Sequence, residues 1–288
     1  MKNVFIGIIS IVLANLAIGF LARSYDALSS VLVWFSFGTL LSVIWARDEL
    51  FLKQTYSAML ASRTTCIAFI GLSIFAPVFY FIGVRDAGLG VSSVVANAKF
   101  GVLILTSFLI FNEKPKRNDI LACLLLIPGF FLLTEVRDLN YNFGLFIALL
   151  AMLCYAGQNV INKILAFKVP YRAMVSIRSL AVSLGVACYM LVIGKTPEVP
   201  MELQFWIPIV LGAPFGIIIS KYADFKALEE VSFFTFSIWQ PLRPVLILCL
   251  SALVLQEEFT LNKSLGCTLL IASSAIASIG SRPSKIRN

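Results

Sequence analysis

Apolar positions in this chain come in unbroken stretches of about twenty residues separated by short polar loops. The stretches fall at residues 4–22, 28–46, 66–84, 91–111, 119–134, 142–160, 173–193, 205–225, 232–255 and 263–280. Each is long enough to cross a hydrocarbon core of roughly 30 Å at about 1.5 Å per residue. Inside lipid a backbone N–H or C=O finds no water, so a crossing segment is either an α-helix or a strand of a closed barrel. Barrel strands alternate apolar and polar positions, and the run from Leu121 to Leu126 does not. The pattern predicts an all-α membrane protein of ten transmembrane helices. The first stretch is too long and continuous for a cleaved signal peptide, and no small-residue cleavage site follows it, so it is expected to remain as the first span.

A second pattern lies across the first. Sliding the 288 residues against themselves by 144 aligns the halves without a gap. Glu113 falls on Glu257, Asn118 on Asn262, Asn15 on Asn159, Ser93 on Ser237, Ser107 on Ser251 and Lys99 on Arg243. Leu121, Cys123, Leu125, Leu126 and Ile127 fall on Leu265, Cys267, Leu269, Leu270 and Ile271. Apolar matches mean little in so apolar a chain, but polar matches at one common offset are hard to obtain by chance. Five spans per half is an odd number, so the second half must enter the membrane upside down. The expectation is two inverted five-helix repeats, residues 1–144 and 145–288, with any solute site near the midplane between them.

These residues resemble a known family. The stretch from Lys226-Ala227-Leu228 through Pro244 to Glu257, followed by Leu265-Gly266-Cys267-Thr268-Leu269-Leu270-Ile271, is similar to the repeat signature of EamA-type members of the drug/metabolite transporter superfamily. The first half shows a degraded copy, with Gly83-Val84 at the Ala-Leu place, Phe100 for the proline, Glu113 intact and Ala122 for the glycine. The resemblance covers essentially the whole chain. It implies a membrane carrier of small solutes, in a family that includes exporters and importers of amino acids, nucleotide-linked compounds, cofactors and drugs. The signature marks helix ends and packing and so assigns no solute-binding residue.

Composition sharpens this picture. Hydrophobic residues make up 59% of the chain and charged residues 13%, about half the roughly 25% typical of soluble domains. The net charge of +8 suggests nucleic acid at first sight. The basic residues sit instead between apolar stretches, so no nucleic-acid partner is expected. With the N-terminus placed in the cytoplasm, that side collects Lys2, Arg47, Lys53, Arg63, Lys114, Lys116, Arg117, Lys163, Lys168, Arg172, Lys226, Arg282, Lys285 and Arg287. The other side collects only Arg23, Arg85, Arg137, Lys195 and Lys263. The positive-inside rule therefore puts both termini in the cytoplasm, in a membrane most simply read as a bacterial inner (plasma) membrane. All six cysteines fall inside apolar stretches without paired spacing, and the chain has no His. No disulfide, metal site or cofactor is expected.

Polar groups deep in spans are the functional candidates. Lys99 lies about eight residues from its helix end, roughly 12 Å deep, and Arg243 holds the equivalent place in the other half. Each costs about 2.5–3.5 kcal/mol at mid-helix. Glu113 and Glu257 lie at helix ends and Asp224 near the end of its span, so no carboxylate is expected at matching depth. Either the solute supplies the counter-charge, or both side chains bond backbone carbonyls near Pro241 and Pro244 or snorkel toward water. Arg178 and Lys221 are shallower, and snorkelling is the expectation there. Asn15 and Asn159, with Gln158 beside the latter, either line a cavity or bond between helices. Among the aromatic residues Trp34, Phe75, Phe79, Tyr80, Tyr155, Tyr222, Phe236 and Trp239, most are expected to pack. Phe236, Trp239, Gln240 and Arg243 follow i, i+3, i+4, i+7 spacing and should share one helix face, matched by Ser92, Ala96, Lys99 and Leu103. The residues expected to contact solute are Lys99, Arg243, Asn15, Asn159, Trp239, Phe236, Tyr80, Phe79, Gln240, Ser92, Trp34 and Arg178.

The reading is a secondary transporter that moves a small organic metabolite by alternating access. The metabolite is expected to bear a carboxylate or phosphate, as an amino acid or nucleotide-like compound does. The partners are that solute and membrane lipid, and the state is a monomer or weak homodimer. A flippase or accessory protein for a lipid-linked precursor is the alternative. An enzyme would need paired carboxylates, a His cluster or an activated nucleophile at depth, and the sequence offers none.

Overall fold

A computed structural model describes residues 2–50, 53–111, 117–133, 139–165, 168–199, 202–231 and 233–280. The described residues form helices: α1 Lys2–Ser24, α2 Ala27–Trp45, α3 Arg47–Leu50, α4 Lys53–Ala61, α5 Arg63–Ala87, α6 Leu89–Asn97, α7 Lys99–Leu109, α8 Arg117–Leu133, α9 Leu139–Leu165 and α10 Tyr171–Val192. The chain continues with α11 Leu203–Ala213, a π-helical turn Pro214–Ile219, α12 Ser220–Glu230, α13 Phe233–Trp239, α14 Leu242–Val254 and α15 Leu261–Gly280. Seven segments are long and apolar enough to cross a membrane, counting α6 with α7 and α11 with α12 as single crossings. Three shorter apolar helices, Ile120–Leu133, Leu242–Val254 and Leu261–Ile276, fall within the remaining apolar stretches. Large apolar side chains stand exposed along the outside, among them Ile9, Leu13, Leu40, Leu124, Leu153 and Leu211. A helix in lipid presents such a surface.

Inside the bundle, helices approach through small and hydroxylated residues, because lipid tails give no hydrophobic drive for leucines to pair. α5 lies along α9, where a Cβ on Gly144 would sit 2.8 Å from the Ala87 backbone nitrogen. α8 lies along α15. There Gly129 and Gly266 face each other, and the Ser273 hydroxyl donates to the Ala122 carbonyl at 2.8 Å. α2 meets α10 along a seam of hydroxyls, with Ser42 and Ser179 at 2.8 Å and Thr39 and Ser183 at 3.3 Å. α1 runs beside α11, the π turn and α12, its Ala17 and Ala14 against Gly212 and Gly216.

Two crossings are interrupted. In the second half, Pro241 and Pro244 have no N–H to offer the carbonyls of Ser237 and Gln240. Gln240 N and Arg243 N take those carbonyls instead, at 3.2 and 3.0 Å, in the tighter i→i−3 pattern. The expected shared face of Phe236, Trp239, Gln240 and Arg243 is thereby broken between α13 and α14. In the first half the break lies at Ala98 without a proline. The Asn97 side-chain amide donates to the Ser93 carbonyl at 2.8 Å, and Gly101 N bonds Ala98 O at 3.1 Å.

Beyond α14, Glu257 reaches back across the bundle. Its carboxylate accepts from Leu89 N and Gly90 N, both at 2.8 Å, and from Arg23 at 2.5 Å. It caps the N-terminus of α6, where free amides and the helix dipole favour an anion. Gly90 tolerates this because a Cβ there would lie 2.7 Å from the carboxylate. The sequence placed Glu257 at a helix end and no further; Glu113, its counterpart, lies outside the described residues.

Candidate functional site

A cavity with an empty volume of about 630 Å³, counted out to its open mouth, lies within the bundle. Ile11, Asn15 and Ile18 recur at i, i+4, i+7 and give it one face of α1. Trp34 and Phe35 of α2 and Pro77, Tyr80 and Phe81 of α5 form an aromatic wall. The broken crossing contributes Ala96 and Asn97 from α6 and Lys99 from the start of α7. The second half adds Tyr155 of α9, Arg178 of α10, Gly216 and Ile217 of the π turn, Lys221 of α12 and Arg243 of α14. Ala96, Asn97, Lys99, Gly216, Ile217, Lys221 and Arg243 sit at or beside helix irregularities, where a wide turn or missing ladder bond redirects side chains inward.

Four cations therefore border one cavity. Arg243 is 3% exposed and donates to Asp224 Oδ1, with which it forms an ion pair. Lys221 lies 3.8 Å from the other oxygen of the same carboxylate. This corrects the expectation that no carboxylate stands near these cations. The stretch 205–225 was read as ending beside Asp224, but α12 runs on to Glu230 and keeps that residue inside the bundle. Gly7 of α1 makes room for the pair, since a Cβ there would lie 2.7 Å from Asp224 Oδ1 and 3.3 Å from the Arg243 guanidinium.

Lys99 and Arg178 are different. Both are buried, at 6% and 3% exposure, and neither forms an ion pair among the described residues. The Lys99 ammonium lies 5.1 Å from the Tyr155 ring centre and the Arg178 guanidinium 5.3 Å from that of Phe35. Such contacts are worth roughly 0.5–2 kcal/mol, less than burying an ion costs, which is several kcal/mol. Arg178 Nε has no hydrogen-bond partner among the described residues. The snorkelling expected of Arg178 and Lys221 is overturned, because α10 and α12 turn these side chains toward the cavity.

The remaining candidates divide. Asn15, Trp34 and Tyr80 line the cavity, with the Tyr80 hydroxyl donating to Asn15 Oδ1 at 2.6 Å and Asn15 Nδ2 donating to the Ile11 carbonyl at 2.7 Å. Asn159, Phe236, Trp239, Gln240, Ser92 and Phe79 do not line it. Phe236 is fully buried in the core, Trp239 packs edge-on against Phe5 at 5.1 Å, and Phe79 stacks on Phe75 at 5.9 Å. Gln240 and Ser92 are completely buried, and the Gln240 amide and Ser92 hydroxyl lack partners. Gln158 donates to Ser73 at 2.6 Å, an interhelical bond. Sequence reasoning missed Asp224 and named Tyr155 only as one aromatic among several. The available signal was the i, i+3 spacing of Lys221 and Asp224.

One regularity runs through about half of the lining. Ile11 and Tyr155, Trp34 and Arg178, Pro77 and Lys221, and Lys99 and Arg243 each stand 144 positions apart. Tyr80 and Asp224 do so too, the latter just behind the wall.

Comparison with known proteins gives this geometry a family. Residues 142–279 match the EamA-like transporter family. An uncharacterized transporter of Methanothermobacter thermautotrophicus is 25% identical over 210 residues, which are 69% of this chain and 59% of the relative. The aligned part of the chain thus spans less than two thirds of that protein. A crystal structure of another protein superimposes over 96% of both chains with a TM-score of 0.75 at 16% identity, a likeness of fold. With its long apolar helices this chain is an integral membrane protein, and its residues 142–279 are similar to EamA-like transporters.

Proposed function

We propose that this chain is a secondary transporter that moves a small organic anion by alternating access, with Lys99, Arg178, Lys221 and Arg243 facing the solute. The carrying observation is the burial of Lys99 and Arg178 at a cavity with no ion-pair partner among the described residues. An anion bound between them supplies what the protein leaves out, and charge-assisted hydrogen bonds are the strong ones in such a site. Asn15, Tyr80 and Trp34 complete the contacts.

The halves, 1–144 and 145–288, work as inverted repeats of five spans each, ten in all, with both termini cytoplasmic in a bacterial inner (plasma) membrane. Several contacts support this. The Gly129–Gly266 approach and the Ser273–Ala122 hydrogen bond exchange places when every number is shifted by 144. α6 packs on α14 as α7 packs on α13. Reporter fusions after residues 140 and 288 test the topology, the expected result being outside and inside respectively.

Transport itself is tested in proteoliposomes with a ligand first found by thermal shift, where a solute at about 100 times its Kd adds roughly 2.7 kcal/mol. Lys99→Gln and Arg178→Gln should nearly abolish uptake in well-folded protein, and Arg243→Lys should weaken it. Normal uptake by both Gln variants would move recognition to the amide and aromatic residues.

A further inference from the structure

The cavity has two unlike ends. Along α1, Gly7 lies against the Arg243–Asp224 pair, whereas Ala14 and Ala17, two to three turns on, lie level with Trp34 through Gly216 and Gly212. Arg243, Asp224 and Lys221 stand together at the first level. At the second, Trp34 and Phe81 meet edge to face at 6.5 Å, beside Ile18. The positions 144 apart express the same split. Where the first half has Trp34 and Pro77, the second has Arg178 and Lys221.

The charge balance is specific as well. Asp224 answers one positive charge and is shared between Arg243 and Lys221. Three of the four positive charges therefore remain, two of them Lys99 and Arg178, on different helices and each beside an aromatic ring. A single negative charge would leave two positive charges uncompensated.

We infer that the solute is an amphipathic dianion: a head group with two negative charges, a phosphate monoester or a dicarboxylate, on a flat apolar body. This rests on the anion reading above and deepens it. Arg178 and Lys99 hold the head group, with the Arg178 fork taking two oxygens side by side. Trp34, Phe81 and Ile18 take the body. Arg243 and Lys221, which share Asp224, steer the anion without being its main ligands.

The test uses matched probes on the purified full-length protein, read by thermal shift and by equilibrium binding. Phenyl phosphate and methyl phenyl phosphate share a body and differ by one charge; phthalate and benzoate do the same for carboxylates. Inorganic phosphate lacks the body, and phenol and benzylamine lack the negative charge. At least one dianion is expected to bind ten-fold or more tighter than its monoanionic partner and than inorganic phosphate. Which of phenyl phosphate and phthalate does so identifies the head group. Arg178→Gln and Lys99→Gln should each reduce that binding at least ten-fold and collapse the preference for two charges. Should Arg178→Gln not purify, Arg178→Lys keeps the charge and should bind more weakly while retaining the preference. Equal binding of dianion and monoanion overturns this inference and leaves the anion reading standing. Binding of phenol or benzylamine with no response to any anion overturns both. Inorganic phosphate binding as tightly as phenyl phosphate removes the apolar body.

Discussion

At Arg243 and Asp224 the structure separates two roles that one charged side chain can combine. Arg243 faces the cavity, yet its guanidinium is already engaged by a carboxylate from α12. Removing one partner of such a buried pair strands the other, at a cost of about 3–5 kcal/mol. Asp224→Ala should therefore lower stability by roughly that amount, measured by thermal unfolding in detergent. The double change Asp224→Asn with Arg243→Gln removes both charges and should regain most of the loss while transport stays impaired. Additive losses in the double variant would show that the two side chains do not support each other. Burial of Lys99 and Arg178 could be suspected from the sequence only as depth along a span. Whether a carboxylate stands opposite depends on rotation and helix length, and a five-residue extension of α12 was enough to bring Asp224 into play.

At the scale of helices, close approach is set by glycine and hydroxyl positions rather than by leucine packing. Gly144 lies against backbone of α5, which cannot move aside as a flexible side chain can. Gly144→Ala should destabilise the bundle by about 1–3 kcal/mol, whereas Gly71→Ala, with nothing within 4 Å of its added carbon, should not. Comparing the two by thermal unfolding checks the claim within one chain. The turn between α1 and α2 offers a pH-dependent counterpart. Asp26 accepts from Ser29 N at 3.1 Å, capping α2, and pairs with Lys195 at 2.7 Å. Burial pushes its carboxyl up, but the bonds from Lys195 and Ser29 outweigh that and hold it below its ordinary 3.8. Folding thus favours the charged form: its contribution is full above the unfolded value and fades as pH falls through the lower folded one. Asp26→Ala should cost about 0.5–2 kcal/mol at pH 7, and the gap to the parent protein should close below pH about 4. The apolar stretches predicted helix positions well because length and hydropathy are properties of the chain alone. The interruption at Ala98 was not legible, having no proline to mark it, while Pro241 and Pro244 were seen as bends but not as the end of a shared face.

For the molecule as a whole, the 144-residue offset read from polar matches reappears as a property of the cavity wall, where four pairs of lining residues obey it. The site list was less legible, since Phe236, Trp239, Gln240, Asn159, Ser92 and Phe79 are placed by helix rotation rather than by spacing and lie outside the wall. The contact between Thr39 and Ser183, 3.3 Å apart and 144 positions apart, has a further consequence. With the halves related as proposed, a position that touches its own copy sits beside the axis between them, and points on an axis stay put when everything around them turns. If each half adopts in one state the shape its partner had in the other, the distance between copies is the same before and after. Spin labels at positions 39 and 183 should accordingly report one unchanging separation with and without solute. Labels at Arg23 and Glu257, which touch but are not copies of each other, should report two. Thr39 and Ser183 would then be the bearing of the machine, the place from which every other displacement can be measured.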